Sequence, residues 1–346
     1  MDAADYVIIS VEKTPAFRRI RVMEKNVDIA ALGELLIDFT EAGRSKDGRK
    51  LFEQNPGGAP ANLLTVAAHT GYHTEFIGKV GTDMHGNFLK KTLEEEGIGT
   101  KYLIQDERFF TTLAFVEIAE NGERRFSFSR KPGADTQLCK EELDRGLLES
   151  CKIFHFGSLS LTDEPSKTAT KEAVKIAKAA GAVISYDPNY RASLWKDEST
   201  AISEMSSMIP FADIMKVSDE ELVLLTGITD QKKAVDRLLS AGPKLIAVTL
   251  GRKGALIAIK GKMEIVAGFQ VQAIDTTGAG DSFWGGFLSE FLKQKKSIQE
   301  LTWDEIKKCA IYGNGVAALC VQKRGGIPAI PTKEEIEQFS RNRKEW

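Results

Sequence analysis

From Val27 onward the chain alternates dense apolar runs with amphipathic stretches that end at glycine. That alternation restricts its fold more than any other feature. VDIAALGELLIDF, beginning at Val27, is long and apolar enough for one buried strand of a parallel sheet. The EAGRSKDGRKLFEQ that follows is polar and contains glycine. A helix is expected at PANLLTVAAHTG, with Pro60 in the first turn and Gly71 past the end. FIGKVG reads as the next strand, and HGNFLKKTLEEEG as the next helix, stopped at Gly97. Further on, KIFHFGSL, AVISYDPN, DIMKVS, LIAVTLG and GALIAI have strand character. TKEAVKIAKAAG, TAISEMSSMIPFA, EELVLLTG and KKAVDRLLSAG have helical character, as do SFWGGFLSEFLKQ and DEIKKCAIYGNGVAALCVQ. This order predicts α/β architecture with a mainly parallel sheet.

One segment breaks the rhythm. TTLAFVEIA and RRFSFSR, between Thr111 and Arg130, are strand-like, and Asn121-Gly122 between them signals a hairpin turn. The hairpin reads as an inserted sheet outside the main layer. The 346 residues would accommodate one large domain or two ordinary ones. With no repeat, low-complexity tract or evident linker, one core domain with a small insertion is the expectation. Residues 1–26, with an apolar VIISV, a proline and then RRIRV, read as an N-terminal extension without stable order.

Charge narrows the partners. Lys+Arg is 47 against Asp+Glu 49, a net charge of −2, which leaves no footprint for nucleic acid. No apolar run approaches the ~18–20 residues of a membrane span, and the N-terminus lacks a signal-peptide pattern. Cys139, Cys151, Cys309 and Cys320 form no C-x-x-C pair, which argues against a zinc ribbon or a disulfide scaffold. A reducing compartment, the cytoplasm, is expected.

The sharpest local chemistry lies in DTTGAGDSFWGGF, from Asp275 to Phe287. Gly278 and Gly280 allow a tight turn with exposed N–H groups, and a helical pattern starts directly afterwards. A glycine turn opening a helix is an anion site, because first-turn N–H groups lack intrahelical acceptors and the dipole adds positive potential. Asp281 stands at this mouth. It is either the base that takes a proton from an attacking hydroxyl or a capping residue of the helix. The loop is not a Walker motif, which is absent from the chain. It fails the G-x-G-x-x-G dinucleotide pattern because Phe283 stands at the third glycine position.

A second glycine pair, Gly57-Gly58 in NPGGAPAN, allows a ligand to approach bare backbone. Asn62, one turn later, both donates and accepts. The other reading is a plain strand-to-helix turn. Asp38 ends the first apolar run. Ligands of open α/β sheets bind at the carboxyl ends of strands, where Asp38 would accept from two hydroxyls, unless it lies exposed just past the strand. Ser218-x-x-Glu221 fits a capping box, and also a carboxylate that holds Mg²⁺ through water. His69 and His73 are separated by the helix-ending Gly71 and form no metal pair. His85 and His155 receive no role.

Together, GGAPAN near the start, DTTGAGDSF near the end and the hairpin between them resemble the PfkB, or ribokinase-like, family of carbohydrate kinases. The resemblance runs from about Val27 to Thr332. It implies a Rossmann-like three-layer α/β core, formed by 27–38, 55–109 and 131–335, with a small β lid over the sugar from 39–54 and 110–130. It implies Asp281 as catalytic base and the N–H groups of Gly278, Ala279, Gly280 and Asp281 as the anion hole. Asp38, Gly57, Gly58 and Asn62 match sugar-binding positions. Thr249 and Gly251 match a nucleotide phosphate contact, and Asn314 lies in the segment bordering the adenosine. Asp275 and Thr277, with the loop KRGGIPAI, resemble the monovalent-cation site (K⁺) that some members use. Glu221 matches the glutamate of an N-x-x-E motif tied to Mg²⁺, although Ser218 replaces the asparagine. The implied cofactors are ATP and Mg²⁺, and the implied assembly is a homodimer through the lid.

Within the family, GELLIDF, the hairpin with its KPGAD sequel and DPNYR look most like the fructokinases, which make fructose 6-phosphate. Arg130 and Arg191 then become candidate contacts to sugar or phosphate. The alternatives are a 2-keto-3-deoxygluconate kinase, a ribokinase or a nucleoside kinase. A non-catalytic sensor would be marked by a broken glycine loop or a lost base. Asp281, Gly278 and Gly280 are intact.

Overall fold

The structure, a computed structural model, describes residues 6–11, 20–118, 124–341 and 343. Two short strands, β1 (Tyr6–Val11) and β2 (Ile20–Glu24), pair antiparallel as a separate ribbon in the stretch read as an extension without order.

The apolar run at Val27 is not one strand but two, β3 (Val27–Leu32) and β4 (Leu36–Arg44), and they belong to different sheets. The break comes at Gly33, ahead of the residue-38 boundary expected from sequence. Pro60 packs against Gly33 so closely that a Cβ there would sit 2.7 Å from Pro60 Cγ. Unbroken hydrophobicity hid this corner, because both flanks are buried.

β4 pairs antiparallel with β5 (Lys50–Gly57), so part of the polar stretch is also strand. Next come α1 (Ala59–His69), β6 (Thr74–Gly81), α2 (Met84–Glu95) and β7 (Leu103–Asp106). The inserted pair is β8 (Leu113–Ile118) and β9 (Arg124–Ser129), antiparallel in register. The turn expected at Asn121-Gly122 lies outside the described residues. The remaining elements are α3 (Arg145–Ser150), β10 (Cys151–Gly157), α4 (Ser166–Ala179), β11 (Val183–Asp187), α5 (Glu198–Met208) and β12 (Ile214–Ser218). They continue as α6 (Asp219–Thr226), α7 (Gln231–Ala241), β13 (Leu245–Thr249), β14 (Gly254–Ile259) and β15 (Lys262–Ala267). Three helices end the chain, α8 (Ala279–Lys293), α9 (Trp303–Cys320) and α10 (Lys333–Arg341).

The large sheet has nine strands in the order β15-β14-β13-β12-β11-β10-β3-β6-β7. From β13 to β7 every pairing is parallel, and β14 and β15 add an antiparallel edge. Both faces are covered, as a parallel sheet requires. Within β3, Ala30 and Leu32 join one core with α4, α5 and α7, while Ile29 and Ala31 join the other with α1, α2, α8 and α9. The result is the expected three-layer α/β core. The small sheet, in the order β5-β4-β8-β9, stands apart from it. Strand order reverses beside β3, and such a switch point opens a crevice at the strand carboxyl ends. β11, β12 and β13 end there at Asp187, Ser218 and Thr249.

Candidate active site

The site is built around the start of α8. Gly278 is its N-cap in the left-handed region, with φ of 72°, a conformation that glycine adopts without a Cβ penalty. Ala279 N–H turns back to Thr276 O at 3.2 Å. The other first-turn N–H groups of a helix have no intrahelical acceptor, and here Gly280 lines the two cavities that meet at this point. A cavity of about 540 Å³ lies on one side and one of about 710 Å³ on the other. Thr249, Thr276 and Gly280 border both. Each falls in the size range of small-ligand sites.

Asp281, in the first turn of α8, is half-buried and lines the larger cavity. Asn62 Nδ2 donates to its Oδ2 at 2.8 Å. Burial raises the Asp281 pKa, against the opposing effects of Lys216, the Asn62 hydrogen bond and Arg191. Asn62 is buried on α1, and among the described residues its Oδ1 has no partner. Pro60 in the first turn and the Gly57-Gly58 corner start that helix. Asp38 and Gly57 come from β4 and β5 of the small sheet rather than from the core. A Cβ on Gly57 would fall inside contact distance of Asp38 Oδ2, so glycine lets the carboxylate occupy this place. Asp38, Gly58 and Asn62 all line the larger cavity.

Glu34 also lines the larger cavity and escaped sequence reading because it sits inside the apolar run. It is buried and accepts from Ala59 N–H at 2.8 Å. Burial pushes its carboxyl up to about 7.

The largest omission is Lys216, in the middle of DIMKVS. It is 5% exposed, lines the larger cavity and pairs with Asp187 at 2.8 Å. A Cβ on Gly280 would lie 2.9 Å from its Nζ, so the ammonium abuts the α8 turn. Burial opposes its charge, but Asp187, Glu221 and Asp281 outweigh that, and its pKa lies above the usual lysine value. A lone lysine in an apolar strand was the available signal, since a buried cation needs carboxylate partners.

Ser218 and Glu221 do form the capping box: Glu221 N–H donates to Ser218 Oγ and Ser218 N–H to Glu221 Oε2. Glu221 Oε1 also accepts from Tyr190 N–H at 2.6 Å, and the buried carboxylate lines the larger cavity. Capping and site placement are therefore one arrangement. Arg191 lines the same cavity as an exposed side chain, with Nη1 donating to Tyr190 O at 3.0 Å.

Arg130 is placed differently. It is buried, with Nε donating to Asp135 at 2.7 Å, Nη1 to Thr162 at 2.8 Å and Nη2 to Leu159 O at 2.9 Å. It does not border either cavity. The sequence-based reading of Arg130 as a direct contact gives way to a brace behind the wall, because Asp135 claims its guanidinium.

The smaller cavity gathers Thr249, Gly251 and Asn314. Asn314 is buried and donates to Val266 O and Ala267 O at 3.0 and 3.1 Å, which ties α9 to the edge of the sheet. Asp275 is buried beside the junction. Its Oδ1 accepts from Thr277 N–H at 2.8 Å and its Oδ2 from Gly325 N–H at 3.2 Å, so it orders both loops. Thr277 lines the larger cavity. Among the described residues no three His, Cys, Asp or Glu side chains form a metal-holding group, and no helix is long and apolar enough to cross a membrane.

Known proteins resemble this chain in sequence and fold. Among curated proteins the chain is 40% identical over 314 residues to probable fructokinase-6, chloroplastic, of Arabidopsis thaliana, covering 90% of this chain and 81% of that one. It is 39% identical over 314 residues to fructokinase-1 of Zea mays, covering 90% and 97%. Among solved structures, a fructokinase with bound ATP from Xylella fastidiosa superposes with a TM-score of 0.85 at 31% identity, over 92% of this chain and 99% of that one. A fructokinase from Vibrio cholerae O395 bound to fructose, ADP and calcium gives 0.82 at 31% identity, over 91% and 99%. The pfkB family carbohydrate kinase description matches residues 26–333, and with these relatives it establishes that the chain belongs to the pfkB family of carbohydrate kinases.

Proposed function

We propose that the protein transfers the γ-phosphoryl group of ATP to the 6-hydroxyl of D-fructose, giving fructose 6-phosphate. One observation carries this reading: two ligand-sized cavities meet at Gly280 in the first turn of α8, and the next residue, Asp281, lines the larger of them. The smaller cavity takes the nucleotide, with Thr249 and Gly251 toward the phosphates and Asn314 toward the adenosine. The larger takes the sugar. Relatives that bear the fructokinase name, one of them holding fructose and ADP, support fructose and ATP as the pair of substrates.

Phosphoryl transfer needs alignment and charge stabilisation more than covalent help. Asp38 accepts from sugar hydroxyls. The buried Asn62 Oδ1 gains the donor it lacks. Asp281 orients the 6-hydroxyl and takes its proton, while Asn62 fixes the carboxylate. The N–H groups of Gly280 and Asp281 and the Lys216 ammonium stabilise charge developing on the phosphoryl oxygens. The small sheet, which contributes Asp38, Gly57 and Phe128 to this region, acts as a lid that excludes water.

Mg²⁺ suits these residues as an ion that arrives with ATP, since it keeps several waters and binds mainly phosphate oxygens. Glu221, capped by two backbone N–H groups yet lining the cavity, would hold one of its waters. Bound there, Mg²⁺ would neutralise phosphate charge. Asp275 and Thr277, with the 323–330 loop, would hold a monovalent cation such as K⁺ through the carbonyl groups that Asp275 orders. A homodimer through the small sheet accounts for the exposed Leu51, Phe52 and Phe115. The four free cysteines suit a reducing compartment.

A 2-keto-3-deoxygluconate kinase would want two free arginines for the substrate carboxylate. Here Asp135 occupies Arg130, and Glu34 lines the cavity, which favours a neutral sugar. The test is ADP release with MgATP against fructose, 2-keto-3-deoxygluconate, ribose and adenosine, with Asp281→Asn beside the wild type. Asp281-dependent turnover on fructose is expected. Turnover on the keto-acid alone would move the substrate, and none on any of the four would overturn the assignment.

A further inference from the structure

The outer wall of the smaller cavity is the loop that follows β15, through Phe269, Gln270, Val271 and Ala273. Backbone bonds tie it near its ends, Gly268 N–H to Lys253 O at 3.2 Å and Ile274 N–H to Val321 O at 2.7 Å. Between them, Phe269 packs edge-on against Phe339, with ring centroids 5.3 Å apart at 80°. The Arg343 guanidinium lies over both rings, 4.2 Å from the Phe339 centroid and 5.3 Å from that of Phe269. This geometry is favourable for aromatic and cation–π contact.

Phe339 belongs to α10, which is itself fixed. Ile336 is buried against Val66, Val316 and Cys320, and Glu335 pairs with Lys323 at 2.7 Å. α10 packs on α9, whose Asn314, Ala317 and Ala318 line the same cavity. One wall is thus part of the helix that supports α10, and the other is gripped by its aromatic side chain.

We propose that α10 and the Arg343 that follows it set the affinity of the site for the nucleotide: Phe339 and Arg343 are positioning residues that brace Phe269 and hold the 268–274 wall in its binding shape. This rests on the assignment of the smaller cavity to ATP. Without the brace the loop samples more conformations, and binding must order it at an entropic cost. The sugar side is insulated, because no residue of 268–274 borders the larger cavity.

The experiment is steady-state kinetics and ADP affinity for Phe339→Ala, Phe339→Tyr and Arg343→Ala, with melting temperatures recorded. Phe339→Ala is expected to raise KM for ATP and Kd for ADP about 3- to 10-fold, with kcat and the fructose KM within about twofold of wild type. Phe339→Tyr should retain wild-type affinity, since it keeps the ring. A folded Phe339→Ala with unchanged KM for ATP would overturn the proposal. If that variant does not fold, Arg343→Ala decides by the same criterion. Hydrogen exchange on the wild type separates the two levels. ATP that fails to protect 249–254 overturns the nucleotide assignment itself, whereas protection with unaltered variants removes only the brace.

Discussion

Asn62 Nδ2 donates to Asp281 Oδ2 at 2.8 Å, joining α1 to α8 across 219 positions of sequence. The bond makes the acid's protonation depend on Asn62, which lines the same cavity. A base acts when deprotonated, so with Asp281 as the proposed base kcat/KM should fall as pH drops through its pKa. Burial places that pKa above the usual aspartate value. Asn62 donates to the charged form and holds the pKa down, so Asn62→Ala should move the acid limb of the pH–rate profile to higher pH. An acid limb at the wild-type position would disprove the coupling. Asp281→Asn should lower kcat by at least about 10²–10⁴-fold with the fold intact, and near-normal turnover would remove Asp281 from catalysis.

Gly57 and Asp38 make a steric pair. A methyl group at 57 cannot coexist with the Asp38 carboxylate where it stands, since the two would be inside contact distance. Gly57→Ala should therefore displace Asp38 and raise the fructose KM by about tenfold or more, some 1.4 kcal/mol of binding. Coupling distinguishes this from general disruption. In an Asp38→Ala background the same substitution should add little further loss, because the clashing group is gone. Additive losses in the double variant would refute the pairing.

Much of this architecture was legible because α/β folds announce themselves by period and punctuation. Pro60 and Gly71 bounded α1, and the turn at Gly278 began α8, each for local backbone reasons. What escaped depended on tertiary context. The corner at Gly33 could not be seen because β3 and the start of β4, Leu36 and Ile37, are buried alike, and hydrophobicity does not report which sheet a strand joins. β15 is mostly exposed on the edge and α10 is short and largely polar, so neither presents an apolar run of the kind that marks the other elements. Lys216 and Glu34 were hidden in apolar runs, while Arg130 looked free because Asp135, its partner, comes from the turn after the hairpin.

Arg130 should consequently behave as a structural residue. It is 5% exposed, and removing its guanidinium leaves the buried Asp135 carboxylate without its cation. Breaking a buried pair from one side typically costs about 3–5 kcal/mol. Arg130→Met should lower the melting temperature by several degrees, and adding Asp135→Asn should recover part of it, because the unpaired charge is then removed. The opposite pattern, an unchanged melting temperature with a fructose KM raised tenfold, would return Arg130 to the substrate.

His155, on β10 beneath the site, should give the protein an acid-labile step. It is buried, with Nδ1 2.9 Å from Ser185 Oγ, and the same hydroxyl accepts from Trp284 Nε1 at 2.8 Å. Burial first, then the positive charge of Lys216, pushes its pKa down to about 3 from 6.5. The folded state keeps the ring neutral, while the unfolded chain gains a proton below pH 6.5. The stability tied to His155 is therefore complete above pH 6.5 and is lost as pH falls toward 3. For one proton the slope is at most ~1.4 kcal/mol per pH unit. Urea unfolding between these limits should show a shallower acid slope for His155→Gln, which cannot take up the proton, even where its absolute stability is lower. Equal slopes in the two proteins would mean that His155 is not the group that titrates.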